Sequence, residues 1–179
     1  MELKDYQENV KRTNTDLGSK ALNIAHMIYG MTSEFVELYE AIDDVNRGEE
    51  LTDINWYLNN YCNITGVDLW RIAEFIPFQY YRILEDDNYI ETLFCKVSEL
   101  IDLEKKELAY GKILEMEKRI EKVISIFEAL NDAYAYYNLD PFVSMQKNID
   151  KLRVRYPLKF DNENALNRDL AAERKVLEA

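Results

Sequence analysis

SEFVELYEAIDDVNRGEELTDINWY, residues 33–57, sets the plan of this chain. It carries two acid pairs at helical spacing, Glu34 with Glu37 and Glu50 with Asp53, on either side of one turn. Residues three apart share a helix face, so each pair directs two carboxylates the same way. A helical hairpin that brings the pairs together makes a nest of oxygen donors for a hard cation such as Mg²⁺.

The apolar stripes separate these acids from ordinary surface charge. With about 100° per residue and Glu34 as origin, Met27, Met31, Phe35, Leu38, Ala41, Ile42 and Val45 fill one arc, and Glu34 falls inside it. Glu37, Gly30 and His26 sit at its edge, and Glu40 faces away. On the next helix Ile54, Tyr57, Leu58, Tyr61 and Ile64 define an arc that contains Glu50, with Asp53 at its edge and Glu49 outside. Carboxylates on a core-facing stripe are costly unless paired or bound to metal.

The chain has 179 residues, enough for one domain with a core of its own. Only five Gly and three Pro among 47% hydrophobic and 31% charged residues favour an all-α protein. A net charge of −12 argues against nucleic-acid binding, which needs clustered Lys and Arg, and against an anionic membrane surface. Cys62 and Cys95 lie in helical patterns and read as buried free thiols of a reducing compartment. No stretch reads as a leader peptide or a membrane span, so the expectation is a soluble cytoplasmic protein.

Periodicity predicts a short amphipathic helix over 2–12 and a long one over 20–45, closed by Asn46-Arg47-Gly48. A helix over 49–64 follows, then a restart at Asp68. The apolar stretch 69–84 is interrupted by Pro77, and Asp86-Asp87-Asn88 marks the next boundary. Helices are expected over 89–110, ending at Gly111, and over 114–137. Another opens at Asp140-Pro141 and closes at Arg155-Tyr156-Pro157, and a terminal helix covers 167–178.

Two stretches resemble one another. Ser33-Glu34-Phe35-Val36-Glu37-Leu38 reads against Ser98-Glu99-Leu100-Ile101-Asp102-Leu103, and residues 60–68 have a looser counterpart in 132–140. The second alignment sets Lys122 against Glu50 and Ser125 against Asp53, so a second copy keeps half the acids. Glu99 lies off its own stripe of Ile90, Leu93, Val97, Leu100, Ile101 and Leu108. The plan is then two antiparallel helical hairpins in one domain, 1–84 with the metal acids and 85–160 degenerate, followed by a tail helix over 161–179.

The pattern Glu34-x-x-Glu37, twelve residues, Glu50-x-x-Asp53 resembles the MazG-like, all-α nucleoside triphosphate pyrophosphohydrolases. His26-Met27-Ile28-Tyr29-Gly30 is similar to the family's His-x₃-Gly run into its first Glu, and Asp53-Ile54-Asn55-Trp56-Tyr57-Leu58 to the segment after its last metal Asp. Asn148-Ile149-Asp150-Lys151-Leu152-Arg153-Val154-Arg155-Tyr156-Pro157 with Phe160 resembles its Asn-x-x-Lys-Leu-x-x-Arg-Tyr-Pro ending. Asn167-Arg168-Asp169 and Glu173-Arg174 look like the tail of phage-type members. The likeness covers roughly 1–70 and 140–179. Two departures stand out: Thr52 replaces the usual Gly, and about seventy residues, 71–139, separate the acidic hairpin's stretch of likeness from that of the basic ending. The degenerate hairpin accounts for the second departure, as in the similar dimeric dUTPases.

The resemblance implies that Glu34, Glu37, Glu50 and Asp53 hold Mg²⁺, with Mn²⁺ as a substitute. It also implies cleavage of the α–β phosphate bond of a nucleoside triphosphate, giving a monophosphate and pyrophosphate. The cation would neutralise phosphate charge and acidify water, with Glu37 or Glu50 as the base. Lys151 and Arg155, four apart, can face phosphates or serve their own helix C-terminus. His26 reads as structural or substrate-contacting, and Trp56 and Tyr156 are further candidates for substrate. Tyr57 reads as core. One histidine is too few for a diiron bundle, which takes Glu-x-x-His from two helices. A homo-oligomer in the cytoplasm, that of the host for a phage protein, is the implied setting. The competing reading is a nucleotide-binding protein of weak turnover that sequesters a nucleotide signal.

Overall fold

The computed structural model describes residues 1–76 and 88–179, and every regular element among them is helical. Helix α1 (Leu3–Asn9) runs into a 3₁₀ turn (Val10–Thr13). Two long helices follow, α2 (Lys20–Glu40) and α3 (Asp44–Thr65), then the short α4 (Leu69–Ala73). The second long pair is α5 (Tyr89–Tyr110) and α6 (Met116–Tyr136). The chain closes with α7 (Pro141–Arg155), α8 (Asn162–Leu166) and α9 (Leu170–Glu178).

Helices α2 and α3 pack along one another as a hairpin, and so do α5 and α6. The hairpins join through α2 on α5 and α3 on α6, while α7 covers α3 and α9 lies on α7. Helix α3 is thus central, touching α1, α2, α6, α7 and α9. It buries Leu51, Ile54, Trp56, Leu58, Tyr61 and Cys62 on several faces, so its true apolar surface is wider than the single predicted arc. The arc of α2 is buried at Met27, Met31, Phe35 and Leu38, but Ile42 is 87% exposed.

The first turn comes earlier than the expected Asn46-Arg47-Gly48. Helix α2 ends at Glu40, and the Asp43 side chain accepts the Asn46 N–H at 2.8 Å to start α3, an N-cap typically worth about 1 kcal/mol. Gly48 lies inside α3 against Leu139. At the other hairpin Gly111 has φ +65° and closes α5, a left-handed conformation that glycine adopts without strain. Asp140 caps α7 ahead of Pro141, accepting from the N–H groups of Phe142 and Val143. The described part of the stretch 69–84 is helical only to Ala73; Pro77 and the expected boundary at Asp86-Asp87 lie outside the described residues. The polar segment 160–165 holds most of α8, so the tail expected over 161–179 is two short helices, α8 and α9. Cys62 is buried, whereas Cys95 is exposed, which corrects the reading of both thiols as core. No helix among the described residues is long and apolar enough to cross a membrane.

Gly30 is where the Tyr57 ring of α3 lies directly on the backbone of α2. A Cβ there would stand 2.0 Å from the Tyr57 ring. Ala gains about 1 kcal/mol in helix propensity, but the overlap with a packed ring costs more. We expect Gly30→Ala to lose about 1–3 kcal/mol in denaturant unfolding, because Tyr57 must leave its place.

The hairpins are also tied by a buried polar knot. The Tyr61 hydroxyl donates to Glu104, and Arg119 Nε donates to Glu104 at 3.0 Å and to the Tyr61 oxygen at 2.9 Å. Both charged residues are buried, and Arg119 Nη2 also reaches Glu107 at 2.8 Å. Removing one partner strands the other charge in the core. Arg119→Met should therefore cost about 3–5 kcal/mol, and Arg119→Met with Glu104→Leu should recover most of it. Losses of the two single variants that simply add in the double variant would show that the knot is uncoupled.

Candidate functional site

Three carboxylates from two helices converge between α2 and α3. Ligand oxygens of Glu34, Glu50 and Asp53 all lie within 4.8 Å of one another. Glu50 is buried, Glu34 and Asp53 are partly buried, and Glu37 is exposed one turn further along α2. The four acids line a cavity of about 230 Å³ together with Glu49, His26, Trp56, Tyr57, Arg155, Tyr156 and Arg168. Residues between 13 and 168 in the chain therefore meet at one place.

The acids are crowded enough to change their chemistry. Burial, then the charges of Asp53 and Glu37, raises the Glu34 carboxyl to about 7. Burial and the neighbouring Asp53, Glu49, Glu34 and Glu37 raise Glu50 to about 9. Both carboxyls are raised and Glu50 lies beside Glu34, so without a cation the pair favours holding a proton between them. An all-oxygen set of this kind suits a hard divalent cation, which would replace the shared proton and relieve the repulsion.

Asp53 is held differently. Asn148 Nδ2 donates to its Oδ1 at 2.5 Å, and Lys151 Nζ donates to its Oδ2 at 2.6 Å and to Glu49 at 3.0 Å. Asn148 is itself oriented by the Tyr6 hydroxyl, which donates to its Oδ1 at 3.1 Å. Residues 148, 151 and 155 share one face of α7, and that face is laid on α3. Burial pulls the Lys151 ammonium down, but Asp53 and Glu49 outweigh it and keep it above the ordinary lysine value. Lys151 is fully buried, so it sits beneath the acids as a fixed counter-charge and does not stand in the open cavity.

Arg155 lines the cavity and is gripped by Glu173 of α9, with Nε and Nη2 donating at 2.9 and 2.5 Å. Tyr156 is buried and stacks on Phe160 at a centroid distance of 5.4 Å. Trp56, outside the predicted arc, is buried, and its Nε1 donates to Thr13 at 3.1 Å. Tyr57 is only partly buried and forms cavity wall as well as packing, which amends its reading as core. His26 meets Tyr57 edge-on at 6.0 Å, its Nδ1 is buried without a partner, and burial lowers its pKa.

Sequence reasoning gave no role to Glu49, Asn148 or Arg168, although it quoted the last two within motifs. The signal for Asn148 was its place one turn before Lys151. Glu49 lay outside its helix's arc, because that arc described only one of the faces α3 buries. Thr52, the departure from the family's Gly, is buried and joins the hairpins: its hydroxyl donates to the Gly48 carbonyl at 2.5 Å and lies 2.9 Å from the Tyr134 hydroxyl.

The second hairpin answers the first at the aligned positions. Lys122, set against Glu50, donates to Glu99, set against Glu34, at 2.9 Å. An acid–base pair thus stands where the first hairpin has two acids, and it neutralises itself. The acid cluster of the first hairpin is the only one among the described residues.

No family model matches the chain, and neither curated proteins nor solved structures show significant similarity to it.

Proposed function

We propose that the protein is a Mg²⁺-dependent nucleoside triphosphate pyrophosphohydrolase of MazG-like type, with its site on the α2–α3 hairpin. The observation that carries the reading is the placing of three converged carboxylates and two arginines, Arg155 and Arg168, in one cavity. A metal-chelated polyphosphate needs that pattern, acids for the cation and cations for the phosphates left uncovered by it.

Glu34, Glu50 and Asp53 would hold the ion, Mg²⁺ or Mn²⁺. When bound, it supplies phosphate charge neutralisation and acidification of water. The chain's own part is positioning. Asn148 and Lys151 fix the Asp53 carboxylate, and Tyr6 fixes Asn148. Arg155 would face the phosphates, while Tyr57 and His26 form further wall of the cavity. Water adds across the α–β phosphoanhydride to give a nucleoside monophosphate and pyrophosphate. Glu37, outside the converged trio and open to solvent, is the carboxylate free to take the proton.

Chromatography of products from a panel of dNTPs and NTPs in Mg²⁺ tests the reading. Monophosphate with equimolar pyrophosphate from any substrate supports it. Nucleotide bound without turnover would replace the enzyme by a binding protein that sequesters a nucleotide.

A further inference from the structure

The last helix holds, from behind, two arginines that line the same cavity. Arg168, which follows α8, lines it beside Arg155. Both guanidiniums converge on one carboxylate, Glu173 of α9, with Arg168 Nη2 at 2.8 Å. Glu173 is only 2% exposed. Burial opposes its charge, but the two arginines win and hold its carboxyl down to about 2. Helix α9 is anchored on both sides. Arg174 reaches Asp43 at 2.8 Å, at the start of α3, and Lys147 of α7 donates to the Leu177 carbonyl at 2.8 Å.

We infer that Arg168 is a second phosphate-contacting residue and that Glu173 positions it together with Arg155, so that α9 is part of the substrate site. The inference rests on the pyrophosphohydrolase reading above. Its warrant is charge and geometry. One carboxylate neutralises one arginine, so the trio keeps a net positive charge beside the acid cluster, in a chain whose net charge is −12. The ion pairs use Nε and Nη2 of Arg155 and Nη2 of Arg168, which leaves Nη1 of both guanidiniums outside them for an anion. A guanidinium already fixed by a buried carboxylate loses little freedom on binding phosphate. Arg155 and Arg168 then grip phosphates that the acid-bound cation leaves uncovered.

The test is calorimetric titration of wild type, Arg168→Ala, Arg168→Lys and Glu173→Gln, first with Mg²⁺ alone and then with inorganic pyrophosphate in Mg²⁺. Steady-state kinetics accompany it on whichever triphosphate is turned over. The Arg168 side chain is 39% exposed, so its removal leaves folding intact. Mg²⁺ affinity should be alike in all four proteins. Pyrophosphate affinity should fall about tenfold or more in Arg168→Ala, the loss expected of a charge-assisted hydrogen bond. Lys should restore part of it, since it keeps the charge without the fork. Glu173→Gln should raise KM and leave kcat nearly unchanged. Undiminished pyrophosphate binding by Arg168→Ala, with wild type binding well, would overturn the inference alone. Wild type that binds neither Mg²⁺ nor pyrophosphate would remove the functional reading and the inference with it.

Discussion

Glu50→Gln will lower triphosphate turnover by about 10³-fold while making the metal-free protein more stable at pH 8. The two effects share one cause. Glu50 is the most crowded acid of the site, pressed by Asp53, Glu49, Glu34 and Glu37 in a buried position. In the proposed function a divalent ion uses its charge; without one, burial and its neighbours favour the protonated form. Gln imitates the protonated acid, since its amide can still donate to Glu34, but it cannot ionise to bind a cation. At pH 8 the unfolded chain carries an ionised Glu at this position, so the native protein bears the cost of protonating it. Removing that cost should stabilise the metal-free variant by about 2–4 kcal/mol. Urea unfolding in EDTA, with product analysis in Mg²⁺, reads both quantities. A variant that loses turnover and stability together would mean that Glu50 serves the fold and not a cation. Sites that sacrifice stability for function behave in the predicted way.

Helices α2, α5, α6 and α7 were legible because each shows a clear 3.6-residue period; α5, α6 and α7 start and stop within a few residues of what it predicts, and α2 starts where expected. The turn between the acid pairs was not. Two turn signals compete there, Asp43-Asp44 and Asn46-Arg47-Gly48, and a glycine inside a helix costs only about 1 kcal/mol. The Asp43 cap and the packing of Gly48 against Leu139 settle it. The pairing of Glu34 with Glu50 and Asp53 survives the shift, because the acids lie on the packed faces of both helices. What no local pattern could show is compensation over distance. Lys151 is fully buried because Glu49 and Asp53, about a hundred positions away, neutralise it. Arg155 is likewise held by a carboxylate of the last helix. The buried Glu104–Arg119 pair was invisible for the same reason: each residue alone reads as an ordinary surface charge on an amphipathic helix.

Metal-free protein will lose stability as pH rises from 5 to 9, and Mg²⁺ will abolish the loss. The sign follows from the direction of the shifts. Glu34 and Glu50 have native values of about 7 and about 9, above the ordinary 4.5. A carboxyl raised in the folded state favours folding fully below its unfolded value, and that contribution disappears as pH climbs through the native one. The rise at Glu34 alone corresponds to about 3 kcal/mol once both states are ionised. On the acid side Glu173 acts in the opposite sense. Its native value is held near 2 by Arg155 and Arg168, so its contribution is present above the unfolded value and fades as pH falls below about 4. Metal-free stability should therefore peak near pH 5, where Glu34 and Glu50 are protonated and Glu173 is still ionised. A divalent cation competes with the protons of Glu34 and Glu50, so its effect on Tm must be small at pH 5 and grow steadily to pH 9. In Glu50→Gln the alkaline slope should shrink and the Mg²⁺ effect should vanish. Thermal melts in EDTA and in Mg²⁺ across this range decide the matter. A Tm in EDTA that stays level from pH 5 to 9 would show that the three carboxylates do not share one electrostatic site, and the metal assignment would fall with it.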